Sequence, residues 1–142
     1  MIMTNKILSI HPLSADLGAL LLRLIFGGLF IYHGYEKIIN YDTYLPMMQD
    51  IIGIGSKLSY NLVIFAEFFC GLLIAIGLVT RLAVLPIAFS MGVAYFIAHE
   101  KDAFQMKELA FIFLVLSLPV FVMGSGRFSV DRLFQKRKPS VV

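Results

Sequence analysis

Cysteine is almost absent from this chain: Cys70 stands alone among 142 residues, and tryptophan is missing altogether. A single thiol excludes dithiol–disulfide chemistry within one chain. Cys70 lies in an apolar segment and reads as a small buried residue. Charge is scarce as well, at 15% of residues, and the excess of basic over acidic groups is only +3. No linker or low-complexity run divides the chain, so it reads as a single membrane domain, residues 1–142. The repeated Glu-x-x-His pairs that a di-metal bundle needs are lacking too, since His33-x-x-Glu36 occurs once. Metal and haem are therefore the weak cofactor readings, the latter requiring His33 and His99 to face one another.

What is present is apolar. Fully 59% of residues are hydrophobic, against roughly 45–50% for a soluble domain, and the mean hydropathy is +0.86. This is the composition of an integral membrane protein, whose first partner is the lipid bilayer. Four runs approach the ~20 residues a hydrocarbon core demands: about 17–39, 58–79, 82–98 and 104–123. The expected fold class is an all-α four-transmembrane-helix bundle. A short interfacial helix is expected over Tyr44–Ile52, with Thr43 as its cap and Gly53 as its stop, serving as a connector or a lid. Thr80-Arg81 would form a tight turn, and Pro119 would kink the fourth span. Ser129 would cap a short helix in the basic tail, 124–142. Lys6 and the apolar run after it resemble a signal peptide. Asp16 and Arg23 interrupt that run, and the span is too long for an h-region, so it should remain in the mature protein.

Lys and Arg are unevenly spread. Of the 12, Lys6, Arg23, Arg81, Arg127, Arg132, Lys136, Arg137 and Lys138 fall on the side of the termini. Lys37, Lys57, Lys101 and Lys107 fall on the other. The positive-inside rule then places both termini in the cytoplasm, as in a bacterial-type inner membrane. The basic tail reads as a topology signal and an anionic-lipid contact, not as a nucleic-acid surface.

The informative stretch is Leu21 to Lys37. At about 100° per residue, Arg23, Gly27, Phe30, Gly34 and Lys37 share one helix face, with His33 at its edge. Small residues and charges on one face indicate that it turns from lipid toward other helices. A guanidinium in hydrocarbon costs roughly 2.5–3.5 kcal/mol at a helix centre even on the mild scale, so Arg23 needs a partner. Glu67, near the middle of the second span, is the expected one, as a buried ion pair that locks two helices. His33, Lys37, His99 and Glu108 cluster near the opposite mouth. With Glu67 they are the candidates for binding a polar head group or relaying protons. A faint echo links spans one and three, and spans two and four, as a duplicated hairpin would.

Taken in order, Arg23-Leu24 with Gly27, His33-Gly34-x-x-Lys37, Glu67-x3-Gly71, Gly77-Leu78-x-x-Arg81, Glu108 and Gly124-x-Gly126-Arg127-x-Ser129-x-Asp131 resemble the DoxX family. These are small four-helix membrane proteins, and the likeness runs from Leu17 to Asp131. The family is named for a subunit associated with a thiosulfate:quinone oxidoreductase, and some members are linked to membrane redox complexes. The resemblance thus implies an accessory or quinone-binding subunit, with a membrane redox protein as partner. Without Cys-x-x-Cys, the chain departs from dithiol reductases of similar size. Two readings stand beside this one: a small-solute carrier or channel, which four helices would form only as a homo-oligomer, and a non-catalytic scaffold.

Overall fold

A computed structural model describes residues 14–135. The polar lead-in with Lys6 and the basic run Lys136-Arg137-Lys138 lie outside them. The described residues are helical, without strands. Four helices are long and apolar enough to cross a membrane: α1 (Ala15–Ile39), α3 (Ser56–Ile76), α4 (Thr80–Ala98) and α5 (Phe104–Met123). A short helix, α2 (Tyr41–Tyr44), lies between the first two, and α6 (Val130–Gln135) follows the last.

Helix α1 starts where Ser14 accepts the Leu17 N–H, with Asp16 in the first turn. Its buried face carries Arg23, Gly27, Phe30 and Gly34 of the expected stripe, with Phe26 added and Lys37 only half-buried. Glycines let α3 approach closely. A Cβ on Gly34 would sit 2.5 Å from the Phe68 nitrogen, and one on Gly27 would sit 2.7 Å from the Gly71 carbonyl. These contacts set the antiparallel register, with Phe68 level with Gly34. The core between the helices is built from Phe26, Phe30, Ile74, Val84, Ile87 and Phe113.

The boundaries correct three expectations. α3 ends at Ile76 and not near Val79, because Gly77 adopts φ 73° and closes the helix. The Gly77 N–H bonds Ile74 O at 3.1 Å and the Leu78 N–H bonds Leu73 O at 2.8 Å, the paired bonds of a Schellman cap. The tight turn is therefore Gly77-Leu78-Val79, and Thr80 already belongs to α4. The interfacial helix sits earlier than expected. Asn40 accepts from the Thr43 and Tyr44 N–H groups, so the chain turns at Asn40 and continues as a single 3₁₀ turn, Leu45–Met47. Tyr41 meets the Tyr60 ring edge-on and donates to Asn61, which fastens α2 to the start of α3 as a connector. The fourth span is as expected: α5 runs from Phe104 to Met123 with Pro119 inside it.

Candidate functional site

Arg23 does not meet Glu67. With Phe68 level with Gly34, the two side chains start about twelve residues apart along α1, roughly 18 Å. Side chains also tilt toward their own helix N-terminus, and α1 and α3 are antiparallel. The tilt therefore carries Arg23 toward the end holding both termini and Glu67 toward the other.

At the terminus end, Arg23 is 1% exposed. Its Nη1 lies 3.4 Å from both the Ile74 and Ala75 carbonyls, and its Nη2 donates to Phe128 O at 2.5 Å. The guanidinium thus satisfies the open Ala75 carbonyl and adds a second donor to Ile74 O, at a helix end where a cation also complements the dipole. Arg81 repeats the device: Nε and Nη2 donate to Phe121 O and Val122 O at the end of α5. Asp131 accepts the Val79 N–H and the Ser125 hydroxyl, fixing Val79 at φ 45°. Its own N–H donates to Gly77 O. The Arg127 N–H donates to Asp16, and the Ser129 hydroxyl just before α6 donates to Gly126 O. The residues from Gly124 to Asp131, with Arg23 and Arg81, thus form one knot of side chains on backbone. Gly34 is separate, at the α1–α3 crossing.

The opposite end differs. Lys37 Nζ donates to Glu67 Oε2 at 2.7 Å, with the carboxylate side chain only 6% exposed. The pair opens onto a cavity of about 210 Å³ that His33 and His99 also line. Phe30 and Phe113 form its apolar wall, with Met91, Met106 and Leu109 around them. His33 meets the Phe113 ring edge-on and makes no hydrogen bond among the described residues. His99 Nδ1 lies 2.6 Å from Asp102, a partner not anticipated. No residue of the α1–α3 connector lines the cavity, so α2 is no lid.

Glu108 stays out of this cluster. α5 faces the cavity with Met106, Leu109, Ala110 and Phe113, one helical stripe. Glu108 lies off that stripe and is exposed.

Two backbone features went unseen in the sequence. Glu67 sits in a π-helical turn, Phe65–Phe69, closed by the Cys70 N–H on Phe65 O. A second π turn, Ala94–Ala98, ends where the His99 N–H bonds Ala94 O at 3.0 Å. Such wide turns re-aim side chains and recur at functional sites. Both of these deliver a cavity residue, and no side-chain periodicity announces them.

Four apolar helices packed on an apolar core, with Arg23 and Glu67 buried among them, define a small helical membrane protein. The DoxX family model matches residues 18–100, and the chain belongs to the DoxX family. It is 32% identical over 130 residues to the inner membrane protein YqjF of Escherichia coli, covering 86% of this chain and 95% of that one. It is 30% identical over 137 residues to the uncharacterized membrane protein Rv3486 of Mycobacterium tuberculosis, covering 82% and 80%. A Bacillus subtilis protein, "Putative oxidoreductase CatD", is 28% identical over 126 residues, covering 88% and 92%. No solved structure matches the chain.

Proposed function

We propose that this protein is an accessory subunit of a membrane redox system that holds the polar head of a quinone-type molecule in the cavity at the loop end. The supporting observation is the Lys37–Glu67 pair, which shares that cavity with two imidazoles and an aromatic wall. A quinone ring offers carbonyl acceptors at its edge and apolar faces. Lys37 and the two imidazoles can donate to the edge, and Phe30 and Phe113 can cover a face. The volume of about 210 Å³ is smaller than the roughly 300–1,000 Å³ of a site that swallows a whole ligand. It suits one ring, with the tail left in lipid. Glu67 holds the ammonium in place and is the buried group that can exchange a proton with the head.

The name of the Bacillus subtilis relative, which contains the word oxidoreductase, points the same way. The chain carries no redox-active cysteine pair, so electrons belong to a partner protein. The distribution of Lys and Arg favours the inner membrane with both termini cytoplasmic, which puts the cavity toward the outer face.

Purified protein titrated with a short-tailed quinone should show saturable binding in the quinone's ultraviolet spectrum. Lys37→Met should weaken it at least about tenfold, the scale of one charged hydrogen bond. A flat titration, or equal affinity in the variant, would overturn the reading.

A further inference from the structure

We propose that the cleft at the terminus end is a headgroup site for an anionic phospholipid. It does not rest on the quinone reading, because it lies at the opposite end of the bundle. The cleft measures about 700 Å³, and Arg81, Arg127 and Arg132 line it. Their donors are only partly engaged. A guanidinium has five N–H groups, and Arg81 uses Nε and one Nη2 hydrogen on the α5 carbonyls. Arg127 Nε lies 3.7 Å from Asp16, which leaves both of its Nη groups available. Arg132 has neither an ion pair nor a side-chain hydrogen bond among the described residues.

The two carboxylates in the lining accept from the fold and keep their charge, and the three guanidinium groups outnumber them by one. Asp131 takes a peptide N–H and a hydroxyl, and Asp16 takes the Arg127 N–H. What the cleft offers a ligand is therefore arginine forks, the geometry that matches phosphate.

Two features point to a lipid as the source of that phosphate. The rim carries Leu82, 66% exposed and continuous with the apolar outer surface of α4. Phe128 before α6, and Leu133 and Phe134 within it, are all more than half exposed. A short helix with such a face rests in the interfacial layer, and that level is where four spans end and headgroups begin. Arg127 and Arg132 then stand at phosphate height, and Leu82 borders the acyl chains.

The full chain in detergent, titrated with short-chain phosphatidylglycerol, phosphatidylcholine or inorganic phosphate, tests this by melting temperature and native mass spectrometry. Phosphatidylglycerol should raise the melting temperature saturably, and the other two should not at equal concentration. Arg132→Gln should weaken phosphatidylglycerol about fivefold, and adding Arg127→Gln about fivefold again. The lipid-free melting temperature should not move. If the double variant melts early, the single Arg132→Gln variant decides, since its side chain holds nothing in the fold. Equal stabilisation by both lipids, inorganic phosphate matching phosphatidylglycerol, or full affinity in Arg132→Gln would each overturn the proposal.

Discussion

The two ends of this bundle use buried charge in opposite ways. At the terminus end, Arg23 finishes on three backbone carbonyls and Asp131 holds a backbone N–H. At the loop end, Lys37 finishes on another side chain, and the pair looks into a cavity with two imidazoles. A charge anchored to the peptide backbone of a neighbouring element cannot change partner without undoing a helix end. A charge anchored to a side chain beside open space can give up part of that contact to a ligand. The first arrangement is architecture. The second is equipped for binding.

The largest consequence falls on Arg23. Arg23→Ala leaves Ala75 O and Phe128 O without their donor, strips one of two donors from Ile74 O, and opens a void where the side chain was. Buried unsatisfied groups cost about 1–3 kcal/mol each, so a loss of about 3 kcal/mol or more is expected in detergent unfolding. Quinone affinity of whatever fraction stays folded should be unaltered. A variant of near-native stability would erase the contrast between the two ends.

Gly77→Ala should come next, at about 2 kcal/mol. The backbone there is left-handed, which costs an L-residue roughly 1–2 kcal/mol. The new Cβ would also run into the Arg23 guanidinium and Ser129. The same unfolding measurement applies, and the combination with Arg23→Ala sharpens it. Removing the guanidinium removes one of those clashes, so the double variant should lose less than the sum of the singles. Strict additivity would mean that Gly77 and Arg23 act independently.

These positions also show how far the sequence could be read. The spans were legible because apolar length is a property of the chain itself, and the buried face of α1 followed from spacing alone. That Arg23 needs a partner was equally legible, from the cost of a charge in hydrocarbon. Which partner was not, because the answer depended on a register set by Gly27 and Gly34 against α3, and on side-chain tilt in antiparallel helices. Carbonyl ends of helices carry no residue signature, so a hunt for acids could not find them. Arg23 closing α3 and Arg81 closing α5 are a likeness between the two hairpins that the residue echo did not contain. At the other mouth, His33, Lys37 and His99 were located by depth, but Glu108 was miscounted because depth says nothing about facing. Glu67 joined them through a π turn that no propensity scale marks.

The smallest expected stability effect belongs to Glu67→Gln, and it separates the ends most cleanly. The amide oxygen can still accept from Lys37, whose side chain is 28% exposed and retains access to water. A buried carboxylate also carries a desolvation cost that the neutral amide avoids, so losing the ionic part of the contact is partly offset. Stability should therefore stay within about 1 kcal/mol of the parent. Binding should not stay: the ammonium is no longer held by charge and the cavity loses its exchangeable proton, so quinone affinity should fall by about tenfold. An unfolding curve and a binding titration on one preparation give both numbers. If Glu67→Gln unfolds as readily as Arg23→Ala while binding persists, the loop-end pair is a structural clasp like the one at the other end.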